Sequence, residues 1–138
     1  KLVGNQGKVM GIDTSFVEEI PGVHILKANI EDDSVIEEIF SFFGKKVNAV
    51  ISDISPQVSG NWSVDHSAQI SLNYTAVKIM DQVLAIKGNA LFKVFDGEYS
   101  SEFNHYVKKK FSKVNLTKPK ASRKPSSELY CVCLGYTG

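Results

Sequence analysis

The chain has 138 residues, 43% of them hydrophobic and 22% charged, which is ordinary for one soluble domain with a real core. No apolar run is long enough to span a bilayer and no signal-peptide pattern is present, so a cytoplasmic setting is expected. The net charge is only +1, but it is uneven: the basic side chains crowd the C-terminal half, eight of the 16 lying between Lys108 and Lys124 with no acid among them.

In chain order, Lys8 to Asp13 reads as a strand with a carboxylate at its end. Thr14 or Ser15 then offers an N-cap for a helical turn through Ile20, broken by Pro21-Gly22. Val23 to Lys27 is a second short strand, followed by Ala28-Asn29-Ile30. Asp32 or Asp33 can cap a helix with Val35, Ile36, Ile39, Phe40 and Phe43 at helical spacing, and Gly44 ends it. Val47 to Asp53 is a short apolar run rich in β-branched residues, the pattern of a buried strand. It stops at Asp53, and Pro56 disfavours a regular continuation.

After a polar loop from Ser59 to Asp65, a long helix is expected from about Ser67 to Ile86. Ile70, Ala76, Val77, Met80, Val83 and Leu84 form its apolar side, with a stop at Lys87-Gly88-Asn89. Ala90 to Phe95 is a fourth strand, then a helix from about Ser100 to Phe111, a strand from Lys113 to Lys118, a loop opened by Pro119, and a last strand from Glu128 to Leu134. Strands alternating with helices imply an α/β fold with a mostly parallel sheet. The last two strands, joined without a helix, should be antiparallel neighbours. Cys131 and Cys133 share one strand face and read as small core residues.

Ligands in open α/β sheets bind beyond the carboxyl ends of strands. Asp13 and Asp53 end two strands and Asn29 lies just past a third. A carboxylate there suits ribose hydroxyls and a side-chain amide suits an adenine edge, so an adenosine ligand is indicated. No Gly-x-Gly-x-x-Gly or Walker A loop occurs, and three scattered histidines make a metal site improbable. The basic stretch suits a polyanion, nucleic acid first. Trp62 and Tyr99 are candidates for stacking on a base, although packing on the long helix is the simpler role for Trp62.

Three stretches together carry a family resemblance. Ser52-Asp53-Ile54-Ser55-Pro56 with Ser59-Gly60, Phe92-Lys93-Val94-Phe95-Asp96-Gly97-Glu98, and Lys118-Pro119-Lys120-Ala121-Ser122-Arg123 with Ser126-Ser127-Glu128-Leu129-Tyr130 resemble the FtsJ-type ribose 2'-O-methyltransferases. The resemblance implies a Rossmann-like methyltransferase fold with an antiparallel last strand and S-adenosylmethionine as donor. It implies an RNA ribose as acceptor, in ribosomal RNA or a ribosomal subunit, or in transfer RNA, and neither a metal nor a membrane.

Of the family's Lys-Asp-Lys-Glu tetrad, the Asp matches Asp53, the second Lys matches Lys93 and the Glu matches Glu128. Donor contacts are implied at Asp13, Asn29, Ile30 and Asp53. Asn29 departs from the Asp often found there. Residues 1–138 are expected to form a single methyltransferase domain; the family's first strand, Gly-rich loop and first Lys are expected before Lys1. Lys118, Lys120, Arg123 and Lys124 are the candidate RNA contacts, since guanidinium and ammonium groups hold phosphates. Two rival readings are a non-catalytic RNA-binding module with a decayed cofactor site, and a nucleobase amino-methyltransferase, to whose acidic-Pro-Pro-aromatic motif Asp53-Ile54-Ser55-Pro56 bears a loose likeness.

Overall fold

The computed structural model describes residues 3–118 and 128–138. It divides the chain into two compact units, Lys1–Lys46 and Val47–Gly138.

In the first unit, β1 (Val9–Asp13) and β2 (Val23–Lys27) pair in parallel, Val9 opposite Val23 through Asp13 opposite Lys27. The helical turn expected after Asp13 does not form. Asp13 Oδ1 accepts the Ser15 amide at 2.9 Å, closing a local turn, and Phe16 is 80% exposed, so no apolar face rewards a helix. Helix α1 (Ser34–Phe43) buries Val35 and Ile39. Asp33 stands at its N-cap without a side-chain bond, so the expected carboxylate cap is not made. Gly44 ends the helix as expected, at φ +71° with its amide on the Phe40 carbonyl, a left-handed position that glycine takes without a Cβ clash.

In the second unit, β3 (Val47–Ser52), β4 (Leu84–Phe95), β5 (Phe111–Thr117) and β6 (Glu128–Tyr136) form one sheet in the order β3-β4-β6-β5. β3 and β4 are parallel, and β6 is antiparallel to both β4 and β5. Three of the four strands therefore run one way, and the last strand in the chain is the reversed one, lying inside the sheet. Its apolar face holds Phe92, Val94, Cys131 and Cys133, none of them exposed, with Phe103 of α3 (Ser100–Lys108) edge-on to Phe92.

Two boundaries differ from expectation. Helix α2 spans Trp62–Val83, five residues earlier at its start than expected. Asn61 caps it, accepting the Val64 amide at 3.3 Å. The helix passes at Leu84 directly into β4, and the stop expected at residues 87–89 is instead an irregularity inside that strand. There Val47 faces Leu84 and Ala49 faces Asn89, and Lys87 takes φ +71°. Val83 and Leu84 are both buried, so the chain gains by reversing there rather than by extending the helix into solvent. Helix α3 likewise ends at Lys108, three residues early. Phe111 is buried against Tyr136 and belongs to β5, while Lys110 is held by Asp81 at 2.8 Å.

Candidate active site

β3 ends at Ser52, and Asp53 emerges from it with a side chain 72% exposed. β4 continues past that point. Lys93, buried to 8% exposure, sends its Nζ to 3.4 Å from Asp53 Oδ1 and 5.8 Å from the Phe95 ring centre. The sheet explains the meeting. Ser52 is the last β3 residue in register with β4, opposite Phe92, so the next residue of each strand lies at the place where the parallel pair separates.

On the other side of β4, Lys93 stands opposite Tyr130 and Phe95 opposite Glu128. Directly opposed residues share a face, and residues two apart share a face, so Lys93, Phe95, Glu128 and Tyr130 lie on one face of the sheet. Burial, and then the Asp53 and Glu128 carboxylates, push the Tyr130 phenol above its ordinary value, which sets both acids in its surroundings. Three of the residues singled out from the sequence, Asp53, Lys93 and Glu128, are thus gathered around the end of β4.

The sequence reading missed what supports them. Gln69 and Asn73 of α2 are fully buried and both donate to the Lys93 carbonyl, at 2.7 and 2.9 Å. Gln69 also accepts the Phe95 amide at 3.0 Å and donates to the Ile54 carbonyl at 3.3 Å. Asp65, in the first turn of α2, accepts from the Ser59 amide and hydroxyl, both at 2.8 Å, and from the Gly60 amide at 3.2 Å. These bonds hold its carboxyl below the usual carboxylate range, the Ser59 amide foremost. The loop from Asp53 to Gly60 is therefore fastened to α2 at both ends. A signal was present: residues 65, 66, 69, 70, 73, 76, 77, 80 and 83 are the buried residues of α2 and keep helical spacing, so Asp65, His66, Gln69 and Asn73 continue towards the N-terminus the stripe that Ile70, Ala76, Val77, Met80 and Val83 mark as buried.

Trp62 stacks on Phe95, ring centres 5.3 Å apart, and donates its indole N–H to the Asp96 carbonyl at 3.2 Å. His66 lies against both Trp62 and Tyr99 and accepts the Tyr99 amide on Nε2 at 3.0 Å. Trp62 is thus the first residue of the long helix rather than a side chain packed on it, and it remains 44% exposed.

Asp13, Asn29 and Ile30 belong to the first unit. Asp13 and Asn29 are exposed at the ends of β1 and β2, and each accepts an amide two residues on, that of Ser15 and that of Glu31, both at 2.9 Å. Lys118 follows β5. Lys120, Arg123 and Lys124 lie outside the described residues. Among the described residues no group of His, Cys, Asp and Glu has the arrangement of a metal site, and no helix is long and apolar enough to cross a membrane.

The chain was compared with known proteins. The model of the FtsJ-like methyltransferase family matches residues 1–136. Over its whole length the chain is 71% identical to the ribosomal RNA large subunit methyltransferase E of Nitrosopumilus maritimus, covering 70% of that protein. It is 56% identical, over 98% of its length, to the protein of the same name from Cenarchaeum symbiosum, covering 68% of it. A crystal structure described as that of a ribosomal RNA methyltransferase from Plasmodium falciparum matches with a TM-score of 0.85 at 28% identity, over 95% of this chain and 73% of that one. Family model, relatives and fold agree: this chain belongs to the FtsJ-like methyltransferases.

Proposed function

We propose that this protein transfers a methyl group from S-adenosylmethionine to a ribose 2'-hydroxyl of large-subunit ribosomal RNA, working in the cytoplasm, and that residues 1–138 act as one methyltransferase domain. The observation that carries the reading is the buried Lys93 held at Asp53 where β3 and β4 part, with Glu128 on the same face as Lys93. A nucleobase amino group needs no buried lysine to react, whereas a ribose hydroxyl is a weak nucleophile until its proton is managed.

The donor set of the first unit fits the adenosine part of the methyl donor. Asp13 has acceptor capacity beyond its bond to Ser15 for ribose hydroxyls. Asn29 offers both an acceptor and donors to an adenine edge, with Ile30 beside it as apolar surface. When bound, S-adenosylmethionine supplies an activated methyl on a sulfonium. The Lys93 ammonium carries three donor protons and pairs with Asp53, and it orients the hydroxyl so that a lone pair faces the methyl. As the oxygen–carbon bond forms, the bond from the methyl to sulfur breaks and leaves a neutral thioether, and the hydroxyl proton passes to a carboxylate beside the lysine, Asp53 or Glu128. Lys118, Lys120, Arg123 and Lys124 hold RNA phosphates.

The test is to incubate the full-length protein with methyl-labelled donor and large-subunit RNA, free and in the ribosomal subunit, and to map the label. Label on a ribose that makes its linkage resistant to alkali supports the reading. Label on a base would establish the nucleobase chemistry instead, and RNA binding without label would establish the binding module.

A further inference from the structure

The end of β4 poses a problem in hydrogen bonding. β6 pairs one edge of β4 out to Phe95 opposite Glu128, but on the other edge β3 stops opposite Phe92. The Lys93 carbonyl and the Phe95 amide therefore face an edge with no strand beside it, inside the protein, where an unpaired backbone group is costly. A single side chain answers both. The Gln69 amide accepts from Phe95 N at 3.0 Å and donates to Lys93 O at 2.7 Å, as the peptide group of a neighbouring strand would.

Its other capacities are used as well. The second Nε2 proton goes to Ile54 O at 3.3 Å, and Oε1 also accepts from Asn73 Nδ2 at 3.1 Å. Two donors and two acceptors are all that a glutamine amide has, and the partners fix which way it faces: two carbonyls need the nitrogen and two N–H groups need the oxygen.

Ile54 directly follows Asp53, so one nitrogen holds both the backbone of Lys93 and the residue next to its acidic partner. We propose that Gln69 is a positioning residue for methyl transfer, replacing a strand beside β4 and fastening the loop that carries Asp53 to the strand that carries Lys93. This rests on the methyltransferase reading above. Glutamate in the same place would turn an oxygen toward two carbonyls, asparagine would reach β4 or Ile54 but not both, and methionine would fill the space without bonding either.

The test uses the full-length protein with Gln69→Met, Gln69→Asn and Asn73→Leu. Asn73→Leu is the control, because it removes a donor from the same Lys93 carbonyl and leaves the bond to Ile54. Gln69→Met should lower the single-turnover rate by about ten- to a hundredfold, the scale of a small misplacement of reacting groups, with donor and RNA affinities held. Asn73→Leu should lower Tm with a smaller loss of rate. Placed in a Lys93→Met background, Gln69→Met should cost less rate than it does in the wild type, since one of the two groups it positions is gone.

Rate losses that follow Tm across both sites, or that arise through affinity, would overturn the inference and leave Gln69 a structural residue. Should Gln69→Met not fold, Gln69→Asn carries the same test; failure of both to fold assigns Gln69 to the fold alone and also overturns it. Wild-type protein that transfers no methyl overturns the reaction itself, whereas an active wild type matched by Gln69→Met overturns only the role given to Gln69.

Discussion

Replacing Lys93 by methionine separates its charge from its stem. The side chain is 8% exposed, and its Nζ lies 5.8 Å from the Phe95 ring centre. Lys93→Ala removes three buried methylenes at about 0.8 kcal/mol each, roughly 2.4 kcal/mol of stability. Lys93→Met keeps a chain of similar length and removes only the ammonium. The ion pair so lost has a partner 72% exposed, where water screens it to under about 1 kcal/mol. Methionine should thus stay within about 1 kcal/mol of wild type in denaturant unfolding while alanine does not.

In single-turnover methyl transfer both variants should lose about 10²-fold or more, the scale on which a reacting hydroxyl loses its orientation, or about 2.7 kcal/mol of barrier or more. Affinities for donor and RNA should hold, because the ammonium acts on the reacting hydroxyl. A methionine variant with near-normal single-turnover rate would remove Lys93 from the chemistry. Methionine and alanine variants of equal stability would show that the stem is not packed as described.

Three further outcomes are expected. Asp65→Asn should lower Tm at neutral pH; because the folded carboxyl titrates below its ordinary value near 3.8, the wild-type advantage should be full above about pH 4 and fade as pH falls through that lowered value, which thermal melts across acid pH would show. Tyr136 donates to Asp81 at 2.7 Å and is pushed up to about 12, chiefly by burial; Tyr136→Phe should cost about 1 kcal/mol near pH 8, and the difference should shrink as pH rises above about 10 and reverse before 12, because there the unfolded phenol ionises while the buried one does not. Arg123→Ala should weaken RNA binding and lower the slope of log affinity against log salt by about one, with donor affinity unchanged; an unaltered slope would remove Arg123 from the RNA surface.

The strands and their endings were legible because apolar runs closed by a polar residue have few other uses, and Asp13, Asp53 and Asn29 could be named from that alone, whereas Lys93, inside a strand, was named only through the family resemblance. The start of α2 was not legible. Its first turns bury Asp65, His66, Gln69 and Asn73, and a stripe that begins polar looks like a loop leading into a helix that begins later. The ends of α2 and α3 were misplaced for another reason. Val83-Leu84 and Phe111 carry apolar side chains that suit helix and strand alike, and only tertiary burial decides between them. The helical turn after Asp13 failed because capping residues raise the chance of a helix without supplying the packed face that stabilises one.

The place of β6 bears on how this chain is made. Among the described residues β5 pairs with β6 alone, and β6 is later in sequence, so β5 leaves the ribosome before that partner exists. Until residues 128–136 emerge, β4 lacks one neighbour and β5 lacks any, and the strand that completes the sheet must enter between two others already synthesised. During synthesis the second unit thus passes through a stage in which β4 and β5 both present unpaired strand edges, the condition in which nascent chains associate wrongly.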